Sequence, residues 1–550
     1  MIHTSSQTFA LVAPEIVLVL AALAAYLGGA FAGLRAGWLA AAAGIVAAMA
    51  VTRGPSGGAT FSGGVVIDDF STFIRWTVLA LGLLLCLVQA GDLFPAAVSR
   101  GPGLRRSGTC EEAGTFLLLL AGLSLVGVAG DLVLLFAGLE LVSIPTYVLL
   151  GLRRTDARGQ EASLKYFFLS LVASALFLYA LACLYGLGGS TDLQAIAARV
   201  NAESTSRAVQ VLVPLAAGLA IAGAAFRLAA VPMHFYAPDV YEGTCPGNAA
   251  LLSTLPKVAG VVVLARIVAL VAGASPDLLW RILVAVAAVT MTVGNVTALW
   301  QRNLRRLLAC SSIAHAGYLL VGLAVLAAAP AAAAQRETLP FAAGGLAATL
   351  FYLATYSLAT IGLFGAIAYL GHRWPEWSAG SGPRPPREEI ETIDDLDGLS
   401  TTNPVAALAI TVFVLSLAGI PPLPGFLGKL TLALAALDVD ASAPIALGSR
   451  RAWFTGLAVL LVLNAAIAAA YYLRIIAAMY FKSTKRGVQA DGGLAAGIAM
   501  LACLLLVGMA TIQPRGLFAA SSRAAGSLPG TGPAQASFPH GPDALAATPR

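Results

Sequence analysis

The sequence predicts an all-α integral membrane protein of about fourteen transmembrane helices. Three observations predict it. The 550-residue chain is 59% hydrophobic and 11% charged, with a mean hydropathy of +0.84. Soluble globular proteins carry about 25% charged residues. A single buried core does not absorb that much apolar sequence, so many segments must face lipid. Apolar runs of bilayer-spanning length, about 20 residues, recur along the chain. These runs are continuously apolar where barrel strands would alternate, and lipid admits only helices or closed barrels.

The runs fall near 9–29, 36–52, 70–90, 113–129, 131–152, 162–188, 208–232, 248–271, 278–300, 306–328, 340–370, 404–437, 452–478 and 493–512. The first lacks a basic leader and carries Glu15, so it reads as a retained helix and not a cleaved signal peptide. Only Gly130-Asp131 divides the fourth run from the fifth. Residues 371–400 are Pro/Gly-rich and then acidic (EEIETIDDLDG), and read as a polar loop. The tail 515–550 is rich in Gly, Ser, Pro and Ala, and reads as disordered.

Charge placement orients the helices. Loops after odd-numbered runs hold Arg100, Arg105, Arg106, Arg153, Arg154, Arg158, Arg302, Arg305, Arg306, Arg373, Arg384, Arg387, Lys482, Lys485 and Arg486. Loops after even-numbered runs hold fewer: Arg53, Arg199, Arg207, Arg281, Arg336, Arg450 and Arg451. The positive-inside rule then puts both termini in the periplasm of a bacterial inner membrane. A net charge of +6 spread over such loops is a topology signal and argues against nucleic-acid binding. The cysteines, Cys86, Cys110, Cys183, Cys245, Cys310 and Cys503, show no metal-ligand or disulfide spacing.

A faint internal echo runs through the chain. Leu228-Ala-Ala-Val231-Pro232 lies in the seventh run and Leu417-Ala-Gly-Ile420-Pro421 in the twelfth. Five helices separate them, so the copies have opposite orientation. Proline interruptions at corresponding places in two halves point to inverted repeats built on broken helices.

Ionisable residues inside apolar runs carry the chemistry, because each costs at least about 2.5 kcal/mol to insert at the helix centre. Glu140 lies mid-run with no charge within eight residues on either side. It must be protonated or paired. Arg227, five residues before Pro232, stays charged at ordinary pH and needs an anion, for which Glu140 is the candidate. His234 follows the Pro232 interruption as a candidate relay. Lys257 directly follows Pro256, and Lys429 lies five residues after Pro424 and close behind Pro421 and Pro422. Both read as proton-loading sites beside helix breaks. Lys165 sits nearer a helix end, where snorkelling is the alternative, and His315 is a further polar residue within a helix. No dinucleotide fingerprint, Walker motif or zinc-protease motif is present. The residues point to ion movement, most simply of protons.

LVAPEIVLVL, LLFAGLELVSIPTYVLLGL, EASLKYFFL, VPMHFYAPDVYEGTCP, LPKVAG, NLRRLLACSSIAHAGY and LSLAGIPPLPGFLGKL together resemble the subunit N family of NADH-quinone oxidoreductase. These are antiporter-like membrane subunits of respiratory complex I. The resemblance implies two inverted five-helix repeats with broken helices 7 and 12. Residues 1–112 would hold helices 1–3, 113–271 the first repeat, 272–478 the second, and 479–514 helix 14. It implies proton translocation through Glu140, Lys165, His234, Lys257 and Lys429, as part of a translocase without a redox site in this chain. NADH, FMN, iron–sulfur clusters and quinone would belong to partner subunits. The partners would be a neighbouring antiporter-like subunit and small helical subunits. One departure is Arg227, where the family usually has Lys. The residue then acts as a fixed counter-ion and not a carrier. A subunit of a multisubunit Na+/H+ antiporter and a structural membrane anchor are the competing readings.

Overall fold

The computed structural model describes residues 6–32, 36–55, 60–62, 64–90, 109–154, 156–271, 273–274, 276–328, 344–373, 388–441, 445–446, 448–483 and 488–528. Among these, 12 helices are long and apolar enough to cross a membrane. They are α2 (Ala13–Ala32), α4 (Asp69–Gln89), α5 (Thr109–Val128), α6 (Leu132–Arg153), α7 (Ala157–Gly188) and α9 (Arg207–Leu228). The others are α11 (Pro246–Val271), α12 (Pro276–Leu299), α13 (Leu304–Ala328), α14 (Gly345–Leu370), α18 (Arg450–Phe481) and α19 (Leu494–Ile512). Two shorter apolar helices, α3 (Gly37–Val51) and α16 (Pro404–Ala418), complete the expected set of runs. Short helices α1 (Ser6–Leu11), α8 (Leu193–Ala202), α15 (Leu399–Thr402) and α20 (Pro514–Ser527) lie outside these spans, and α10 (Ala237–Gly243) and α17 (Pro424–Asp438) continue two interrupted runs. The protein is a multi-pass helical membrane protein.

The division at Gly130-Asp131 is real. Asp131 caps α6 by accepting from Val133 N at 2.7 Å. Helices α11, α13 and α14 lie at the centre and are buried almost throughout. Around them, α2, α7, α18 and α19 keep outward faces of Leu20, Phe168, Leu171, Val462 and Leu505, as lipid contact requires. Helices α12 and α13 meet at small residues. A Cβ on Gly317 would stand 2.5 Å from the Met291 backbone nitrogen, so only glycine allows this approach.

Two transmembrane runs are broken. Helix α9 stops at Leu228, where Ala229 takes a left-handed conformation (φ 56°), and the chain resumes as α10 at Ala237. Helix α16 stops at Ala418, where Gly419 does the same (φ 84°), and α17 starts at Pro424. Pro232, Pro421 and Pro422 lie in the turns, and Pro424 takes the first-turn position proline favours. Pro256 differs from the expectation of a break: α11 runs unbroken through it. Proline removes the ladder bond to the Leu252 carbonyl, but the helix is buried among packed neighbours, which hold it through the gap. Pro145 and Pro214 are likewise carried inside α6 and α9.

Two further expectations change. Residues 371–400 are not merely a loop. Strands β3 (Gly371–Arg373), β4 (Glu388–Glu389) and β5 (Val488–Ala490) form an antiparallel sheet in the order β4-β3-β5, beside a 3-10 turn at Ile393–Leu396. Backbone bonds from Leu304 N to Glu391 O (2.7 Å) and from Ile393 N to Arg302 O (3.2 Å) strap it to the start of α13. A second hairpin, β1 (Thr60–Ser62) with β2 (Val65–Ile67), caps the opposite end of the bundle. The tail expected to be disordered from residue 515 instead begins as α20. Ser521, Ala524 and Leu528 recur at helical spacing and are buried, in a helix packed on α4 and α14. Phe518 lies 5.8 Å from Phe351. The rest of that tail, 529–550, lies outside the described residues, as do the orienting cations Arg100, Arg105, Arg106, Arg336, Arg384, Arg387, Lys485 and Arg486.

Candidate functional site

A helix that stops in mid-bundle leaves its last carbonyls without ladder partners. At the first break, Ala230 N returns to Ala225 O and Ala229 N to Phe226 O, which leaves Leu228 O. Lys257, buried on α11, fills that vacancy: its Nζ donates to Leu228 O (2.5 Å) and to Ser312 O (2.9 Å). At the second break, Gly419 N and Ile420 N return to Leu415 O and Gly419 N also to Ser416 O. The two carbonyls that follow receive Lys429, whose Nζ donates to Leu417 O (2.8 Å) and Ala418 O (2.9 Å). Each lysine is thus held by the negative end of a broken helix. Among the described residues neither makes an ion pair.

Arg227 occupies the last turn of α9, one residue before the carbonyl that Lys257 uses. Its Nη1 donates to Ser143 Oγ (2.5 Å), and its Nη2 lies 3.6 Å from Glu140 Oε1. Glu140 also accepts from Ser174 Oγ at 2.5 Å. The pair expected from sequence therefore forms, and α6, α7 and α9 build it. Its two ends differ: Arg227 is 5% exposed and Glu140 28%, so the carboxylate faces outward.

His315 lies centrally on α13 and joins the second group. Tyr352 OH is 2.5 Å from its Nδ1 and Tyr472 OH 3.1 Å from its Nε2. Tyr472 bonds Ser311 Oγ in turn. Tyr356 OH donates to Ser312 Oγ (3.0 Å) on the residue whose carbonyl binds Lys257. Buried hydroxyls and an imidazole thus lie between the two lysines, on α13, α14 and α18.

Two candidates stand apart. Lys165 is 40% exposed and pairs with Asp239 and Glu161, both at 2.7 Å, at the arginine-rich end of the bundle. His234 lies partly buried in the turns after the first break, and its ring bonds none of the other candidates among the described residues.

Sequence reading missed a network around Lys165. Arg306 bridges Asp239 (2.9 Å) and Glu242 (2.7 Å), and Arg305 pairs with Glu389 (3.0 Å). The Lys165 and Arg306 bonds hold the Asp239 carboxyl below its usual range despite partial burial. The Arg75–Glu15 pair (2.8 Å), which Ser124 also joins, was missed as well. Arg75 within the apolar run 70–90 was the available signal. The central tyrosines gave none, since aromatic residues in an apolar helix read as packing.

The sequence profile of the NADH:quinone oxidoreductase/Mrp antiporter transmembrane family matches residues 129–455, which span both breaks and both lysines. NADH-quinone oxidoreductase subunit N of Anaeromyxobacter sp. is 37% identical over 80% of this chain and 79% of its own. The protein of that name from Desulfovibrio desulfuricans is 36% identical over 92% of this chain and 94% of its own. Among solved structures, a chain of respiratory complex I from Thermus thermophilus superposes with a TM-score of 0.70 at 28% identity, covering 93% of this chain and 99% of that one. A membrane fold with two lysine-seated helix breaks, inside a match of this extent, places the chain in the NADH:quinone oxidoreductase/Mrp antiporter family, on its subunit N branch.

Proposed function

We propose that this chain is a proton-translocating membrane subunit of a bacterial NADH:quinone oxidoreductase. The observation that carries this reading is the pair of buried lysines seated on the carbonyls of two broken helices. An ammonium held by neutral dipoles can release its proton without leaving a buried carboxylate behind, and regain it later. Lys257 and Lys429 are the loading sites, and His315 with its tyrosine and serine neighbours lies between them. Arg227 does not release protons and serves as the fixed counter-ion of Glu140. Lys165 and His234 act nearer the arginine-rich end, which faces the cytoplasm by the positive-inside rule. Both termini then lie in the periplasm. The breaks belong to two inverted five-helix repeats, 113–271 and 272–478.

The chain supplies the path and not the energy. Electron transfer from NADH through FMN and iron–sulfur clusters to quinone takes place in partner subunits. A neighbouring antiporter-like subunit and small helical subunits flank this one. Affinity purification of the tagged chain in mild detergent, followed by an NADH:quinone assay of the large complex, tests the proposal. Co-migration with inhibitor-sensitive activity supports it. Recovery without redox subunits, with sodium-dependent proton movement, would instead establish the antiporter reading.

A further inference from the structure

Among the described residues Lys429 has no carboxylate beside it, yet its charge is not held by carbonyls alone. Its Nζ also stands 4.8 Å from the centroid of the Tyr318 ring, within range for attraction between an ammonium and an aromatic face. Among the described residues Lys257 shows no such ring. Tyr318 is fully buried, and its hydroxyl accepts from Asn295 Nδ2 at 3.1 Å. Asn295 is fully engaged: its Oδ1 accepts from Tyr471 OH (3.1 Å), and its Nδ2 also donates to Asn464 Oδ1 (3.0 Å). Asn464 Nδ2 donates to Leu460 O (3.0 Å) and Thr292 Oγ1 (3.3 Å). This net links α12, α13 and α18 behind the ring. Tyr352 and His315 fix the ring's other sides, at interplanar angles of 79° and 81°. A buried polar net of this kind is costly unless every member is satisfied, and satisfied it holds one geometry.

We propose that the face of Tyr318 is the counter-group of the Lys429 ammonium, in the place a carboxylate would otherwise take, with Asn295, Tyr471 and Asn464 as its mount. Tyr318 is a positioning residue in this role. The proposal rests on the reading of Lys429 as a proton-loading site. Its physical advantage is that a ring attracts the cation through its quadrupole without titrating. Loading and unloading of Lys429 then proceeds without a partner that competes for the same proton.

The test measures protons moved per NADH oxidised by the assembled complex in proteoliposomes. Tyr318→Leu removes the face, and Tyr318→Phe restores it without the hydroxyl. Phenylalanine at 318 bearing one and then three ring fluorines keeps the shape and weakens the face. Tyr318→Phe is expected to recover most of what Tyr318→Leu loses. Pumping is expected to fall stepwise with fluorination, by about threefold or more at three fluorines. Equal pumping across the fluorine series would overturn the proposal, because packing alone would then explain the ring. Tyr318→Phe as poor as Tyr318→Leu would also overturn it, assigning the role to the hydroxyl. Should Tyr318→Leu fail to assemble, the fluorine series decides alone. Lys429→Ala serves as the control: normal pumping there removes the underlying reading of Lys429, a failure distinct from that of the ring.

Discussion

The two helix breaks answer one structural problem with different chemistry. In both, a helix stops in mid-bundle and a lysine donates to the carbonyls left behind. At the first break the lysine comes from a separate helix, α11, and a second cation, Arg227, sits on the broken helix with a carboxylate. At the second break Lys429 lies twelve residues beyond its acceptor Leu417, on the helix that resumes, and an aromatic ring stands where the carboxylate would be. The lysine seat is therefore the shared device, and the surrounding charge is what varies. The first region holds one permanent positive charge beside its lysine. The second holds an imidazole, tyrosines and amides.

The sharpest way to break this comparison is to remove each seat's lysine. Lys257→Met and Lys429→Met keep most of the side-chain volume and delete the proton carrier. Each is expected to lower proton pumping by about 100-fold, the scale of losing one positioned proton-transfer group. Pumping by reconstituted complex, normalised to NADH oxidation, measures it. If only one variant is impaired, the two regions are not equivalent stations.

The next effect separates a carrier from a counter-ion. Arg227→Lys is expected to pump like the parent, since it retains a positive charge near Glu140. Arg227→Ala is expected to lose about tenfold or more, because a mid-membrane carboxylate is left without its cation. Its stability cost stays below the ~3–5 kcal/mol of breaking a fully buried pair, because Glu140 is partly exposed. Normal pumping by Arg227→Ala would sink the counter-ion role.

The breaks also differ in backbone. Ala229 adopts a left-handed conformation that disfavours a Cβ, whereas the second break uses Gly419. Ala229→Gly should therefore stabilise the protein by about 1 kcal/mol, and Gly419→Ala destabilise it by about 1–2 kcal/mol. At Gly419 the added Cβ would also meet Lys429 Cδ at 2.9 Å. Only that variant is expected to lower pumping together with the apparent Tm of the purified complex at one scan rate. A Tm shift of the same sign in both would show that φ does not govern these turns.

Much of this contrast was legible in the sequence, for an identifiable reason. Proline and lone charges inside apolar runs are rare and costly, so Pro232, Pro421, Glu140, Arg227, Lys257 and Lys429 stood out against their surroundings. The Glu140–Arg227 pairing followed from charge balance alone. Partners that are not unusual by residue type were invisible: Ser143, Ser174, Ser312 and Tyr352 are ordinary in a helix, and only the packing of α6, α7, α13 and α14 assembles them. Pro256 misled because a proline's local signal is the same whether or not neighbours compensate it. The tail misled in the opposite direction, since α20 hides a narrow apolar stripe in a composition that looks disordered.

The smallest expected effect concerns the strap that links both regions outside the membrane. Through Glu389 it reaches Arg154 at the end of α6 (3.4 Å) and Arg305 at the start of α13 (3.0 Å). Through Asp394 it reaches Lys482 at the end of α18 (2.6 Å). The hydrogen bond from Lys482 holds the Asp394 carboxyl below its usual range. A depressed carboxyl stabilises the folded state above the unfolded pKa of about 3.9, and that contribution is lost as pH falls through the lower folded value. The pair is exposed, so the effect should be no more than about 1 kcal/mol and should shrink with added salt. Hydrogen exchange of the Ile393–Leu396 turn, compared between pH 6 and pH 3, measures it. Asp394→Asn should show the acid level of protection already at pH 6 and lose the pH dependence, whereas Glu389→Gln should loosen β4 at its contacts with α6 and α13. If Asp394→Asn kept the full pH dependence, this ion pair would not be what fastens the strap to the second region.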